Sequence, residues 1–135
     1  MTVNAYLGFP GTCREAFEFY AKVLGGEIIM MMTAGDAPPD SGTSPEWKDK
    51  IMHARISVPG GLLYGSDAPP QFYSKPEGFH VCIAVEDAAK GKAIFDALAD
   101  GGQVQMPYEK TFWAEAFGMV VDRFGTPWMI NAGMM

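Results

Sequence analysis

Short apolar runs, separated by turns that contain glycine or proline, follow one another along the first half of the chain. One run has apolar residues at helical spacing, which predicts a helix among four strands. The predicted elements are, in chain order, strand Ala5–Phe9, a helix ending at Leu24, and strands Glu27–Thr33, Ile51–Val58 and Leu62–Ser66. The polar stretch Ala34–Lys50 is rich in glycine and proline and is predicted as a loop.

The predicted helix has a start signal and a stop signal. Thr12 is followed by Glu15 three positions later, a capping-box pattern in which each side chain bonds a free backbone N–H at the helix start. Gly25 and Gly26 follow the last apolar position, and glycine readily adopts the left-handed conformation that ends a helix. We therefore expect the helix to begin just after Thr12 and to end before Gly25.

The second half of the chain repeats this order. A stretch with three prolines, Asp67 to Gly78, is predicted as a linker. The elements that follow are strand Phe79–Val85, a helix capped by Asp87 and running to about Asp100, and strands Gln103–Met106, Phe117–Asp122 and Pro127–Asn131. A shift of 76 positions aligns Phe19 with Phe95, Ala21 with Ala97, Gly25-Gly26 with Gly101-Gly102, and Met30 with Met106. The sequence thus predicts one α+β domain of two βαβββ modules, at about 1–67 and 79–135, joined by a linker at about 68–78.

Composition narrows the class of protein. The 135-residue chain is 48% hydrophobic, enough for a core, and its net charge of -6 would be repelled by nucleic acid or an anionic membrane surface. No apolar run approaches the roughly 20 residues of a membrane span, and no secretory signal is visible at the N-terminus. Cys13 and Cys82 form no disulfide framework, so we expect reduced thiols and a cytoplasmic location.

The alternation within the strands predicts which side chains line a binding face. In Ile51–Val58 one face carries Met52, Ala54, Ile56 and Val58, an apolar set expected to pack beneath a helix. His53, Arg55 and Ser57 then point to the opposite, concave face. By the same argument His80, Cys82 and Ala84 point to that face in the second module, and Tyr6 and Gly8 match Cys82 and Ala84 through the repeat.

Each polar candidate has two interpretations. His53 is either a proton carrier or substrate anchor, since imidazole titrates near neutrality, or a hydrogen-bonded structural histidine. His80 has the same alternatives, with solvent exposure at the strand end as a further one. Cys82 would need a basic neighbour to act as a nucleophile and is otherwise an inert thiol. Arg55 either binds an anionic substrate through two parallel N–H bonds or forms a salt bridge with Glu115 or Asp122.

The segment Tyr108 to Phe117 concentrates flat apolar side chains and carboxylates. Phe112, Trp113 and Phe117 offer aromatic contacts, and Glu109 and Glu115 offer acidic groups. This mixture suits the wall of a small-molecule pocket, and it equally suits a dimer interface.

Several segments resemble the PhnB-like branch of the glyoxalase/bleomycin-resistance/dioxygenase superfamily, which has the vicinal oxygen chelate fold. The resemblance lies in residues 9–20, 24–27, 52–54 and 113–131, notably the ending DRFGTPWMIN at 122–131. It implies that the two modules curl into a half-open mixed β-barrel with helices outside, and that the protein forms a homodimer. Such proteins are often described as 3-demethylubiquinone 3-methyltransferases, but no glycine-rich nucleotide loop follows a strand here.

The resemblance also implies where a metal would be held in metal-dependent members. Those positions, at the first and last strands of each module, fall near Asn4, Tyr64, His80 and Met129. Only His80 is a good ligand for a divalent metal, since methionine is soft and suits copper(I) better, and about three protein ligands are needed. We therefore expect no conventional metal site and no cofactor.

Three function classes follow for a small-molecule binder with these features. The chain is a metal-independent acid/base enzyme using His53, perhaps with Glu115, or a ligand-sequestering protein of the bleomycin-resistance type. The remaining class is a metal-dependent lyase or dioxygenase with an atypical ligand set. The expected ligand contacts are Tyr6, Arg55, Tyr64, His80, Cys82, Trp113 and Met129.

Overall fold

A computed structural model of the chain describes residues 1–38 and 44–134. The chain divides into two compact units, Met1–Ser74 and Lys75–Met135. Each unit contains a strand, a helix and three further strands in the same chain order, which confirms the predicted repeat.

Unit one forms a four-stranded mixed sheet with one helix. Its elements are β1 (Ala5–Phe9), α1 (Cys13–Leu24), β2 (Glu27–Thr33), β3 (Ile51–Val58) and β4 (Gly61–Asp67). The sheet order is β1-β4-β3-β2, with β1 parallel to β4 and the other neighbours antiparallel. Two short 3-10 helices, Ala34–Asp36 and Pro45–Trp47, lie in the predicted loop, and its residues 39–43 lie outside the described residues.

Unit two repeats this topology. Its elements are β5 (Val81–Val85), α2 (Ala88–Ala99), β6 (Gln103–Glu109), β7 (Ala114–Val121) and β8 (Pro127–Met134). The sheet order is β5-β8-β7-β6, with β5 parallel to β8. Phe79 was expected to begin the first strand, which instead starts at Val81, while β6, β7 and β8 extend beyond their predicted bounds because ladder pairing continues through Glu109, Ala114 and Met134.

Each helix packs on one face of its own sheet. Fully buried Phe17 and Tyr20 of α1 lie over the sheet that carries buried Ala54 and Ile56. A Cβ built on Gly65 would lie 2.6 Å from Phe17 Cζ, so the backbone of β4 directly supports that ring. In unit two a Cβ on Gly118 would lie 2.7 Å from Phe95 Cε2, which places the backbone of β7 beneath α2 in the same way.

The start of α1 is capped by a distant carboxylate and not by a local capping box. Thr12 makes no side-chain cap hydrogen bond, and its buried hydroxyl oxygen has no partner among the described residues. Asp67, at the end of β4, accepts from the backbone N–H groups of Gly11 (3.1 Å) and Cys13 (2.9 Å) with one oxygen and of Ile51 (2.8 Å) with the other. The capping-box prediction was wrong because a charged acceptor already satisfies this helix start.

The linker predicted over Asp67 to Gly78 begins one residue too early, because Asp67 ends β4 and is a structural residue with only 8% of its surface exposed. Unit two uses two other aspartates. Asp87 caps α2 by accepting from the N–H of Ala89 at 2.9 Å, as predicted. Asp122 follows β7 and accepts from Thr126 N (3.0 Å) and from Trp128 Nε1 (2.8 Å).

Two bulges alter the predicted alternation in unit one. Along the β2–β3 pair the register shifts between Ile28 and Met30 and again between Met32 and Thr33. The second shift leaves Met52 without a direct partner and 41% exposed, although it was expected to pack beneath the helix. Ile51 takes the buried position instead. Ala54 and Ile56 lie on the buried face as predicted.

No helix within 1–38 or 44–134 combines the length and apolar character that crossing a bilayer requires.

Replacing Asp67 by Asn should destabilise the protein by about 2–3 kcal/mol, because an amide offers one acceptor oxygen where the carboxylate uses two, and at least one buried N–H loses its partner. The free energy of unfolding from urea titration measures this. Asp87→Asn is the matched control and should cost below about 1 kcal/mol, since its carboxylate makes one exposed bond and asparagine also caps helices well. Equal losses in the two variants would contradict the structural role given to Asp67.

Candidate functional site

Three of the predicted ligand contacts, Tyr6, Tyr64 and Arg55, come together in unit one with His53, the predicted acid/base residue. Tyr6 on β1 lies opposite Tyr64 on β4, and Tyr64 lies opposite Arg55 on β3. His53 lies two residues before Arg55, so its side chain leaves β3 on the same face. We call these four residues the His53 cluster, and they occupy the sheet face opposite α1, because Ala54 and Gly65 face the helix.

Hydrogen bonds and ring contacts tie the His53 cluster together. Arg55 Nε donates to His53 Nε2 at 2.9 Å, and His53 Nδ1 lies 3.2 Å from the Tyr6 hydroxyl. The Arg55 guanidinium carbon lies 5.0 Å from the centre of the Tyr64 ring, within cation–π range. The Tyr6 and His53 rings are 5.7 Å apart, and the His53 and Tyr64 rings 5.8 Å apart.

The direction of the Arg55 bond assigns the His53 tautomer. Arginine can only donate, so Nε2 of His53 must carry its lone pair, and the ring proton sits on Nδ1. Nδ1–H then donates to the Tyr6 oxygen. The hydroxyl hydrogen of Tyr6 is left to donate to another acceptor. The cluster can therefore present two kinds of donor, a phenol O–H and the remaining guanidinium N–H groups.

The predicted residues of unit two are distributed over its sheet. Cys82 on β5 lies opposite Met129 on β8, and both leave the face opposite α2. The expected alternation in this strand is confirmed, since Cys82 and Ala84 are exposed between half-buried neighbours. His80 precedes β5, and its Nε2 lies 2.9 Å from the side-chain oxygen of Gln105.

The predicted aromatic wall divides into two parts. Trp113 contacts Phe117 with ring centres 5.2 Å apart, and Phe112 contacts Trp113 at 4.9 Å. Tyr108 instead stacks on Phe95 of α2 and donates to the carbonyl of Ala88 at 2.8 Å. Desolvation, followed by the charges of Asp87 and Glu115, raises the Tyr108 pKa.

Glu115 is exposed on β7, and its carboxyl carbon lies 2.8 Å from where a Cβ on Gly133 would stand. Among the described residues of unit two, Asp122 uses its carboxylate within its own turn, holding the N–H of Phe124 at 2.8 Å as well as Thr126 and Trp128. Asp122 therefore stabilises the turn before β8. Glu115 makes no hydrogen bond to the described residues of its unit.

The two thiols have different surroundings. Cys13 is fully buried at the start of α1, and burial together with the charge of Asp67 raises its pKa to about 12. Cys82 is exposed, yet partial burial of its sulfur raises its pKa above the usual value of a free thiol. Arg14 lowers the Cys13 pKa, but burial and Asp67 outweigh it, and burial alone acts on Cys82, so neither thiol has the activated character of a nucleophile.

The implied metal positions do not match a conventional divalent site. Asn4 donates its side-chain N–H to the carbonyl of Leu62 at 3.4 Å, and Tyr64 belongs to the His53 cluster. Across 1–38 and 44–134, no three His, Cys, Asp or Glu side chains are grouped closely enough to hold an ion. Met119, which lies opposite Met129, is not among the predicted site residues. Neither is Met106, although a shift of 76 positions aligns it with Met30.

Comparisons with known proteins show which sequences and folds the chain is similar to. The sequence profile described as 3-demethylubiquinone-9 3-methyltransferase matches residues 2–131. Protein YjdN of Escherichia coli (strain K12) is 35% identical over 139 residues, which cover 97% of this chain and 95% of YjdN.

Solved structures are similar to nearly the whole of this chain. Protein PA1353 from Pseudomonas aeruginosa superposes with a TM-score of 0.88 and 44% identity, covering 98% of this chain and 97% of that one. The PhnB protein from Bacillus cereus, also described as a 3-demethylubiquinone-9 3-methyltransferase, superposes with a TM-score of 0.82 and 19% identity over 98% and 99% of the two chains. A glyoxylase/bleomycin resistance protein/dioxygenase domain from Frankia sp. EAN1pec shares the fold with a TM-score of 0.63 and 14% identity over 98% and 91% of the two chains. The fosfomycin resistance protein FosX from Listeria monocytogenes does so with a TM-score of 0.65 and 8% identity over 99% and 92%.

A thiol reagent should distinguish Cys82 from Cys13. In the folded protein at pH 8, Cys82 alone should react, more slowly than free cysteine, and its rate should keep rising at pH values where that of free cysteine has levelled off, because the thiolate is the reacting form. Cys13 should react only after denaturation, since it is buried and its pKa is about 12. The reagent releases a coloured thiol as it reacts, and the absorbance of that thiol measures the rates of Cys82 and of Cys13. Cys82→Ala should remove the reaction of the folded protein. A native-state reaction that persists in Cys82→Ala would contradict this assignment.

Proposed function

Because the chain belongs to the PhnB-like, 3-demethylubiquinone-9 3-methyltransferase family, whose fold is that of the glyoxalase/bleomycin-resistance group, we propose that it binds a small oxyanion-bearing molecule at the His53 cluster. The observation that carries the proposal is the Arg55–His53–Tyr6 chain of hydrogen bonds. It orients one cation and one phenol on the same open sheet face. The family name alone does not assign methyl transfer to this chain.

Arg55 supplies the charge for recognition. Its Nε bond to His53 and its contact with the Tyr64 ring hold the guanidinium in place. Within unit one, no described carboxylate lies within ion-pair distance of Arg55. The terminal N–H groups are therefore available as a fork for a carboxylate, phosphate or phosphonate oxygen pair.

Tyr6 supplies a second donor. Its oxygen accepts from His53, which directs the hydroxyl hydrogen away from the imidazole. The side chain is 52% exposed, so a ligand can reach the hydroxyl. Tyr6 and Tyr64, whose rings meet edge to face at 6.4 Å, also provide apolar surface for the body of a ligand.

These bonds favour binding over proton transfer by His53. The lone pair on Nε2 already accepts from Arg55, so His53 cannot take a proton there without losing that bond. Nor is neutral imidazole a good acid through Nδ1, since losing that proton leaves an anionic ring. His53 thus acts as a positioning residue that holds Arg55 and Tyr6. Sequestration of a ligand needs only this arrangement.

Arg55→Lys should weaken binding of phenylphosphonate, our probe, about tenfold, or about 1.4 kcal/mol, because lysine keeps the charge but loses the fork and the Nε bond. Arg55→Lys should weaken the binding of benzoate, which has the same ring and a carboxylate, to a similar extent. The side-chain Nε–H resonance of Arg55 followed during titration gives the affinity and the place of binding in the parent protein. Arg14→Lys, at an exposed position on α1, is the matched control and should bind normally. The proposal fails if neither probe shifts the Arg55 resonance.

His53→Ala should separate binding from catalysis. As a positioning residue, His53 contributes through its hydrogen bonds to Arg55 and Tyr6, so its loss should weaken probe binding on the order of threefold to tenfold. Calorimetric titration of parent and variant checks this. An acid/base enzyme would instead keep its affinity and lose turnover of its substrate, an outcome that would replace sequestration by the enzyme alternative.

A further inference from the structure

One row of side chains across the sheet of unit two carries sulfur on every strand. Met106 on β6 lies opposite Met119 on β7, Met119 opposite Met129 on β8, and Met129 opposite Cys82 on β5. We call these four residues the sulfur row. Residues directly opposite in a ladder share a face, so all four side chains leave the same side of the sheet.

That side is the one opposite α2. Gly118, next to Met119, would place a Cβ against Phe95 of the helix, and Trp128 and Ile130, on either side of Met129, are fully buried. The sulfur row lies on the other face and is open to ions. Met106 is 42% exposed, Cys82 is exposed, and the two central methionines are half-buried.

We propose that the sulfur row binds a soft monovalent cation, Cu(I), through the Cys82 thiolate and the thioethers of Met129 and Met119, with Met106 at the open end. Opposite side chains in a ladder have Cβ atoms about 4.5–5.5 Å apart. Methionine carries its sulfur beyond Cγ on rotatable bonds, so the flanking side chains can lean toward one ion above Met129. Thiolate and thioether are the donors that select Cu(I).

A buried polar atom beside the sulfur row also indicates a ligand. Asn131 follows Met129 on the same face of β8 and is only 9% exposed. Its side-chain oxygen has no hydrogen-bond partner among the described residues. Such an acceptor is costly unless it is satisfied, and a cation, or a water that the cation holds, provides what it lacks.

The equivalent row in unit one shows that packing does not require sulfur at these positions. There the paired residues are Met30, Arg55, Tyr64 and Tyr6, strand for strand. The repeat keeps a methionine at the β2 and β6 positions and differs at the other three. The soft donors are therefore a property of unit two and not of the fold.

Binding must displace a proton. Cys82 is a thiol near neutrality because its pKa is raised, so each Cu(I) that forms a Cu–S bond releases one proton to the buffer. The apparent affinity should therefore rise about tenfold per pH unit below the thiol pKa. The metal stays Cu(I) throughout, and no electron is transferred.

Anaerobic titration of the full chain with Cu(I), in competition with the chromophoric chelator bicinchoninate, tests the proposal. One Cu(I) should bind per chain. The double variant Met119→Leu/Met129→Leu should bind at least tenfold more weakly, because leucine keeps the volume and hydrophobicity but removes the donors. Met30→Leu/Met32→Leu, which removes as many methionines from unit one, is the matched control and should bind as the parent does.

Two further measurements control for unfolding and for the ligand that binds. Thermal unfolding of each variant without metal verifies that the fold persists. A titration in weak buffer counts the protons released, which should be one per Cu(I) in the parent and none in Cys82→Ala. The proposal is overturned if the leucine double variant binds as tightly as the parent, which would leave a single thiol as the ligand. It is also overturned if the parent fails to compete with bicinchoninate, or if the control variant loses affinity as much as the double variant does.

Discussion

The carboxylate of Asp67 is the interaction on which unit one depends. It is buried at the end of β4 and binds backbone N–H groups at the start of α1 and at the start of β3. One side chain thus joins the end of β4 to the start of α1, which is distant in sequence, and to the start of the neighbouring strand β3. Because β4 also carries Tyr64, and β3 carries His53 and Arg55, the same contact that begins the helix sets the relative position of the strands that bear the His53 cluster.

The two units cap the start of their helices in different ways. In unit one a strand residue reaches across the fold, whereas in unit two Asp87 caps α2 from the position directly before it. A local cap depends on neighbouring residues alone, so α2 can form its first turn without its sheet. The first turn of α1 is complete only when β4 is in place. Exposure of the α1 start to water therefore requires loss of tertiary structure in unit one.

Local patterns predicted most of the fold and part of the site. Element order, the glycine stops and the Asp87 cap are signals within a few residues, and the shift of 76 positions revealed the repeat. Strand alternation also placed His53 and Arg55 on one face. It could not show that Arg55 occupies the Nε2 lone pair of His53, since that depends on side-chain torsions.

The failures share a physical cause, which is dependence on contacts remote in sequence. A capping box at Thr12 is plausible locally, and only the arrival of Asp67 makes it unnecessary. The exposure of Met52 results from a bulge in pairing with β2, which no alternation within β3 can reveal. The sulfur row requires the registers of three strand pairs at once, so Met119 carried no signal by itself.

The sulfur row of unit two and the equivalent row of unit one show how the same fold can carry two different sets of binding side chains. Arg55 and Met119 occupy corresponding positions, opposite Tyr64 and Met129 on the last strands of their units. A guanidinium at that position attracts oxyanions and repels a metal cation, whereas a thioether carries no charge and offers a soft donor. This position, together with the two others at which the rows differ, sets the sign of charge that each row is proposed to bind. Since the four strands pair in the same order at the two rows, the difference in chemistry lies in the side chains that occupy them.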